Sequence, residues 1–144
     1  MNAETFRGGC FCRAIRYKIT SQPLDAGTCH CMTCRGVSSA PSLPFVTFPV
    51  GHFSICSGKP VRFQSSSHVE RTFCAHCGTP LTYFNQEKPS SIDIMTCSLD
   101  NPEAFPPRRH VWMSQKLSWD VPGDDLPKYP TTRRNAARNS DTLI

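Results

Sequence analysis

The chain has 144 residues, the size of one ordinary domain, and its 13 Pro and 8 Gly favour short strands joined by turns over a helical bundle. Pro, Gly or charged residues interrupt every apolar run well before the roughly 18 residues of a membrane span, so we expect no membrane partner. The net charge of +5 does not indicate nucleic-acid binding, because four basic residues and only one acidic residue follow residue 127, where a solvated tail is expected.

Short β-strands make up most of the predicted secondary structure. Ile15, Tyr17 and Ile19 alternate with polar residues over 13–19, which predicts an antiparallel strand with one buried face. Further strands are predicted, in chain order, at 43–50, 52–56, 61–63, 69–73, 81–84 and 92–97, with turns at 58–60 and 65–67. Pro44 and Pro49 predict that the strand at 43–50 lies at a sheet edge.

The rest of the chain adds little helix. A short helical turn is predicted after Asn101, where Pro102 suits the first turn, and another strand is predicted at 111–119. Ile55, Cys56 and Cys97 lie on predicted strands, so we expect Ile55 to face inward and both cysteines to be inert and buried. We therefore expect one mainly β domain over 3–130, followed by a basic, disordered tail over 131–144.

Cysteine usage indicates a reducing compartment and a bound metal. The chain has 9 Cys, an odd number that fits a disulfide framework poorly. The sequence before Cys10 has no apolar segment of the kind found in a secretory signal. We therefore expect a cytoplasmic location, where clustered thiols are kept reduced and bind metal.

Seven of the cysteines fall into three groups, at Cys10 and Cys12, at Cys29, Cys31 and Cys34, and at Cys74 and Cys77. The Cys-x-x-Cys spacing of the last group, followed by Gly78, is typical of a zinc turn, in which the glycine leaves in a left-handed conformation. If Cys10 and Cys12 lie on a strand, their side chains face the same side and can bind the same ion. Together these four cysteines satisfy a closed, tetrahedral structural zinc site.

The middle group then supplies three ligands from Cys29, Cys31 and Cys34. A zinc ion with three protein ligands keeps an open position, which is the property of a catalytic site. A second closed site, completed by His76 or His110, is an alternative, whereas His30 would point away from both neighbouring cysteines. Iron can also occupy sites made of four sulfurs in vitro.

A dithiol redox pair at Cys31 and Cys34 is a third alternative. Such a motif normally begins a helix, and the segment after Arg35, with Gly36, Val37 and Pro41, is a poor helix former. The sequence therefore favours metal binding over redox chemistry.

These motifs, in this order, resemble the glutathione-dependent formaldehyde-activating enzyme (Gfa-like) family, which includes centromere protein V. The resemblance covers about residues 5–130 and is carried by the following segments: Gly9-Cys10-Phe11-Cys12, Cys29-His30-Cys31-Met32-Thr33-Cys34-Arg35, Arg71-Thr72-Phe73-Cys74-Ala75-His76-Cys77-Gly78, Leu99-Asp100-Asn101-Pro102, Pro107-Arg108-Arg109-His110-Val111, Trp119 and Asp125-Leu126-Pro127. The chain departs from many members at Arg13, where they have glycine.

The resemblance implies a fold of several small antiparallel coiled sheets, similar to that of the Rab-exchange-factor zinc proteins. It also implies two zinc ions, one structural on Cys10, Cys12, Cys74 and Cys77 and one catalytic on Cys29, Cys31 and Cys34. The implied activity is that of a carbon–sulfur lyase of the S-(hydroxymethyl)glutathione synthase type, whose partners are a glutathione-like thiol and a small aldehyde such as formaldehyde.

Glutathione carries carboxylates, so we expect Arg35 to bind the thiol substrate, with Arg108, Arg109 and His110 as further candidates for the pocket rim. The alternative function is a zinc-stabilised protein-binding module without turnover.

Overall fold

The computed structural model describes residues 4–132, and these fold into two β-sheets with one short α-helix. The strands are, in chain order, β1 (Phe6–Gly9), β2 (Arg16–Ile19), β3 (Asp25–Cys29), β4 (Leu43–Pro49), β5 (Phe53–Ser57), β6 (Val61–Ser66), β7 (Val69–Phe73), β8 (Pro80–Asn85), β9 (Ser91–Met95) and β10 (His110–Val111). The helix, α1, spans Met32–Ser38, and 3₁₀ turns cover Val50–His52, Thr96–Ser98, Pro102–Ala104 and Met113–Gln115. The predicted mainly β fold with little helix is confirmed.

The smaller sheet has three strands in the order β1-β2-β5, and the larger has seven in the order β10-β3-β4-β9-β8-β7-β6. Neighbouring strands are antiparallel except β3 and β10, which are parallel. The parallel pair joins His110 to Thr28 and Val111 to Cys29. The C-terminal part of the domain is thereby attached beside the strand that ends in Cys29.

The main hydrophobic core is built by residues of both sheets. Ile15, Tyr17 and Ile19 are all buried, as the alternation predicts, and they pack in one cluster with Phe48 and Ile94 of the larger sheet. The hydroxyl of Tyr17 is satisfied by a 2.7 Å hydrogen bond with Ser98 Oγ. Because this core occupies one face of the larger sheet, the opposite face is left for polar side chains and cysteines.

A continuous row of side chains crosses that opposite face. The register pairs Asp25 with Thr47, Thr47 with Asp93, Asp93 with Tyr83, and Tyr83 with Arg71. Cys29 lies four residues after Asp25 on β3, so it shares the same face. We refer to Asp25, Thr47, Asp93, Tyr83 and Arg71 as the polar row.

The helix α1 contradicts the expectation that the segment after Arg35 would not form a helix. Cys31 caps its first turn, since Cys31 Sγ accepts a 3.2 Å hydrogen bond from the amide of Cys34. Ser39 ends it in the left-handed conformation with φ 52°, two residues before Pro41. The Cys31 cap and the burial of Cys34 thus outweigh the poor helix propensity of Gly36 and Val37 in this helix of 7 residues.

The prediction that the strand at 43–50 lies at an edge is wrong, because β4 is central, between β3 and β9. Its two prolines lie where only one neighbour is present: Pro44 pairs with Thr28 and Pro49 pairs with Ser91. A missing N–H is tolerated at such positions because no ladder bond is required on the open side.

Three further expectations fail. Ile55 does not face inward but is 38% exposed, since β5 is the outer strand of a three-stranded sheet. Cys56 and Cys97 are both exposed rather than buried, Cys56 on that same edge strand and Cys97 in a 3₁₀ turn after β9. The strand expected at 111–119 is limited to β10, because Trp112 takes a left-handed conformation with φ 59° and a 3₁₀ turn follows.

Within residues 4–132, no helix has the length and the apolar composition that crossing a membrane requires. Residues 133–144, which make up most of the predicted tail at 131–144, lie outside the described residues. The division into a domain over 3–130 and a basic tail therefore stays a prediction.

Candidate metal centres

The three cysteines of the middle group lie close together, as their spacing predicts. Cys29 ends β3, Cys31 caps α1, and Cys34 lies in the first turn of α1. All three are buried, and their sulfurs lie within 4.8 Å of one another. We call this group the three-cysteine cluster.

The four remaining clustered cysteines form a second group, Cys10, Cys12, Cys74 and Cys77, whose sulfurs also lie within 4.8 Å of one another. We call it the four-cysteine cluster. It joins the turn after β1 to the turn after β7, across more than sixty residues of sequence. The convergence of Cys10 and Cys12 is confirmed, but they lie in a turn and not on a strand, because β1 ends at Gly9.

Both turns carry backbone donors aimed at sulfur. The amide of Ile15 donates to Cys10 Sγ at 3.2 Å, and the amide of His76 donates to Cys74 Sγ at 3.3 Å. Gly78 follows with φ +78°, the left-handed conformation predicted for it. Arg13 also has a positive φ, 66°, a conformation that favours glycine. Such N–H donors favour the thiolate form, which is the form that binds metal.

The donor geometry fits zinc. The sulfurs of Cys10 and Cys12 are 3.6 Å apart, and those of Cys12 and Cys74 are 3.7 Å apart. Both separations are too long for a disulfide. They match the S···S distance of about 3.8 Å that follows from four Zn–S bonds of about 2.3 Å in a tetrahedron. The residues present are therefore compatible with a zinc ion in the four-cysteine cluster.

The three-cysteine cluster also favours a thiolate. Hydrogen bonds from Cys29 and Cys34 lower the pKa of Cys31 to about 3, whereas the same contacts raise the pKa of Cys29 well above its usual value. The three thiols thus share negative charge that a divalent cation neutralises. The argument against a redox pair at Cys31 and Cys34 assumed that no helix follows Arg35, and the presence of α1 removes that argument. The third sulfur, that of Cys29, still distinguishes this cluster from a simple dithiol.

No histidine joins the three-cysteine cluster within residues 4–132. His30 is buried and its Nε2 lies 2.8 Å from Nδ1 of His110, whose Nε2 in turn lies 2.9 Å from Asp124. Both ring nitrogens of His110 are therefore engaged. His76 is exposed in the turn of the four-cysteine cluster. The expected alternative of a histidine as fourth ligand finds no candidate among the described side chains.

The arginines expected at the pocket rim have structural partners. Arg35 donates from Nε to the carbonyl of His30 at 3.4 Å and from Nη2 to the carbonyl of Gln115 at 3.1 Å. Arg109 is buried and forms a bidentate ion pair with Asp25, whereas Arg108 is exposed. Substrate binding by Arg35 stays a prediction.

Sequence reasoning missed Arg71, the arginine that touches the three-cysteine cluster. Its Nη2 donates to Cys34 Sγ at 3.5 Å, and the residue is only 6% exposed. The strand pattern contained a signal, since Arg71 lies two residues after Val69 in β7 and so shares its buried face. A charged residue at an inward position of a strand indicates a buried partner.

Sequence reasoning also missed Trp112, which packs against the three-cysteine cluster together with Val111 and is 6% exposed. Both side chains come from the segment attached by β10. Because the sequence predicted a long strand at this point, it gave no indication that the chain turns at Trp112 to cover the sulfurs.

Comparison with known proteins gives consistent results. Residues 5–115 match the family described as glutathione-dependent formaldehyde-activating enzyme. A protein of Schizosaccharomyces pombe named as an uncharacterized lyase is 30% identical, over 69% of this chain and 83% of its own length. A protein of Halomonas elongata, provisionally named a glutathione-dependent formaldehyde-activating enzyme, is 26% identical, over 78% of this chain and 77% of its own length.

The fold also has a match among solved structures. A crystal structure of a Rhodobacter sphaeroides protein, 17% identical in sequence, aligns with a TM-score of 0.57 over 85% of this chain and 98% of the other. The family match spans both the three-cysteine and the four-cysteine cluster. The chain belongs to the glutathione-dependent formaldehyde-activating enzyme family.

Proposed function

We propose that this protein is a zinc-dependent carbon–sulfur lyase that forms or cleaves adducts between a glutathione-like thiol and a small aldehyde such as formaldehyde. In the forward direction the thiol sulfur forms a bond to the carbonyl carbon, the carbonyl π bond breaks, and the thiol proton passes to the carbonyl oxygen. Cleavage reverses each of these changes, so the reaction needs no oxidant or reductant.

One observation carries the proposal. The three-cysteine cluster offers three buried sulfurs and no fourth protein ligand within residues 4–132, whereas the four-cysteine cluster offers a complete tetrahedral set. Three ligands plus an open position are typical of catalytic zinc, and four sulfurs are typical of structural zinc. The difference in ligand number therefore supports one structural and one catalytic ion per chain.

The residues around the cluster support this chemistry. Cys29, Cys31 and Cys34 would hold the catalytic ion, and zinc bound there supplies a Lewis acid that activates a thiol or a carbonyl group. Trp112 and Val111 pack against the sulfurs and exclude water from one side of the cluster. A site protected from bulk water strengthens every charge interaction within it.

The identity of the thiol is the finer part of the proposal. It is supported by the family description and by the provisional name of the Halomonas elongata relative, both of which mention glutathione. Arg35 directly follows Cys34 and uses two of its five N–H groups on backbone carbonyls, so other N–H groups are left for a substrate carboxylate. We propose a cytoplasmic location because the cysteines act only when reduced.

Exchange spectroscopy by NMR tests the proposal directly. The rate of interconversion between formaldehyde plus glutathione and S-(hydroxymethyl)glutathione is measured with and without the purified protein. We expect the wild type to accelerate exchange and Cys31→Ser to lose this effect while staying folded. Cys97→Ser, an exposed cysteine outside both clusters, is the matched control and should behave as the wild type.

The same panel separates the two metal roles. Cys77→Ser should unfold the protein or make it insoluble, because structural zinc contributes on the order of 10–16 kcal/mol of apparent binding energy. Equal melting of Cys31→Ser and Cys77→Ser, with no acceleration by the wild type, would support a zinc-stabilised protein-binding module instead. A variant that lacks 133–144 should keep full activity if the proposed domain over 3–130 is correct.

A further inference from the structure

Arg71 is a buried cation with an unusual set of partners. Its Nε donates to Ser65 Oγ at 3.0 Å, its guanidinium lies 5.0 Å from the centre of the Tyr83 ring, and its Nη2 donates to Cys34 Sγ at 3.5 Å. Within residues 4–132 no carboxylate forms an ion pair with it, and the adjacent Glu70 pairs with Arg62. The anionic partner within hydrogen-bond distance is the sulfur of Cys34, whereas Asp93, on the same face of the sheet, acts on Arg71 only through a longer-range charge interaction.

Burial makes that observation informative. A buried charge without a counter-charge is strongly unfavourable, and a neutral thiol is only a weak hydrogen-bond acceptor. Arg71 is 6% exposed and has no carboxylate in direct contact among the described residues, so a negative three-cysteine cluster makes its position more favourable. Three thiolates around a divalent cation carry one net negative charge, which a single guanidinium balances.

The sheet register explains how Arg71 reaches this place. The polar row puts Arg71, Tyr83 and Asp93 on the face of the larger sheet that Cys29 also occupies. The strand that carries Arg71 leads directly into Cys74 of the four-cysteine cluster, three residues later. Fixing Cys74 therefore also fixes the strand from which Arg71 extends.

We propose that Arg71 is a positioning residue that holds Cys34 and neutralises the three-cysteine cluster, so that the bound ion accepts an anionic thiolate as its fourth ligand. The inference rests on the proposed function and deepens it. It names Arg71, which is not itself a metal ligand, as the residue that makes the open position of the three-cysteine cluster prefer a thiolate. Without Arg71, a fourth negative ligand would add a second uncompensated charge to a buried site. A neutral ligand would meet no such penalty.

Cobalt-substituted protein provides the test, since cobalt(II) reports its ligands through its absorption spectrum. The probes are 2-mercaptoethanol, which binds as an anion, and imidazole, which binds as a neutral ligand. We expect Arg71→Met to weaken 2-mercaptoethanol binding about 10- to 100-fold, the range found when a residue behind a metal ligand is removed, and imidazole binding by less than about twofold. Arg71→Lys, which keeps the charge, should restore most of the thiol affinity.

Arg62→Met is the matched control, because Arg62 lies on the neighbouring strand β6 with its side chain 75% exposed. A purely structural role of Arg71 would weaken both probes together or neither, and either result refutes the inference. Should Arg71→Met not fold, Arg71→Gln takes its place with the same two probes: a selective loss of 2-mercaptoethanol affinity supports the inference, and equal losses or no loss refute it. If the wild type binds no ion at the three-cysteine cluster, the proposed function itself fails, which is a distinct result.

Discussion

Asp93 provides a test of how the polar row is built that does not depend on activity. Its carboxylate is held in the row between Thr47 and Tyr83, and Thr47 Oγ1 donates to Asp93 Oδ1 at 2.6 Å. Burial raises the pKa of Asp93 from 3.8 to about 6, although the bond from Thr47 acts in the opposite direction. The folded protein therefore binds this proton more tightly than the unfolded chain does.

The sign of the effect on stability follows from that difference. Protonated Asp93 contributes stability that is fully present below about pH 3.8 and is lost as the pH rises through about 6. The shift corresponds to about 3 kcal/mol in total, of which on the order of 1 kcal/mol falls between pH 5 and pH 8. Asn is neutral at every pH and still offers an oxygen to Thr47. The free energy of unfolding of Asp93→Asn relative to the wild type should thus rise by on the order of 1 kcal/mol across this range.

Urea unfolding of zinc-loaded wild type and Asp93→Asn, followed by tryptophan fluorescence at several pH values, measures this difference. Protonation of the metal ligands affects both proteins alike and so cancels in the comparison. Asp124→Asn is the control, because a hydrogen bond from His110 lowers the pKa of Asp124 below 3.8, so the contribution of this carboxyl is lost only at more acidic pH and should not change between pH 5 and pH 8. A difference between Asp93→Asn and the wild type that stays flat from pH 5 to pH 8 would refute the assigned burial.

Two further predictions concern the backbone around the cysteine turns, and both use the free energy of unfolding as the measurement. Gly9→Ala should destabilise the fold, because an added Cβ would lie 2.1 Å from the carbonyl oxygen of Ile15. Gly36→Ala should stabilise α1 by roughly 0.5–1 kcal/mol, because a Cβ added there would meet no neighbouring atom within 4 Å. Equal effects of the two substitutions would contradict this. Arg13→Gly should relieve the left-handed strain at φ 66° and stabilise the protein by up to about 1 kcal/mol, and a loss of stability would show that the Arg13 side chain has a favourable role.

The grouping of the cysteines within each turn could be predicted from the sequence because it depends on local geometry, and the division into four and three followed from the ligand numbers of structural and catalytic zinc. Cys74 and Cys77 need only the tight turn that Gly78 allows, and Cys31 and Cys34 need only one turn of helix or loop. The alternation of Ile15, Tyr17 and Ile19 likewise reports a local property, the two-residue period of a strand.

What the sequence did not predict depends on pairing between distant segments. The central position of β4 follows from its pairing with β3 and β9, which the chain order alone does not specify. Burial of Cys56 and Cys97 was expected from their strand context, yet the edge position of β5 and the 3₁₀ turn after β9 leave both exposed. The contact between Arg71 and Cys34 joins residues 37 positions apart, so no local pattern encodes it.

That contact also explains why the two metal centres need not be independent. The strand β7 carries Arg71 on the face of the three-cysteine cluster and ends one residue before Cys74 of the four-cysteine cluster. A strand anchored at its end by metal–sulfur bonds has little freedom to shift along its neighbours, because a register shift of one residue would turn Arg71 to the opposite face. Zinc at the four-cysteine cluster would therefore do more than stabilise the fold: through β7 it would fix Arg71, the cation that we propose balances the charge of the three-cysteine cluster.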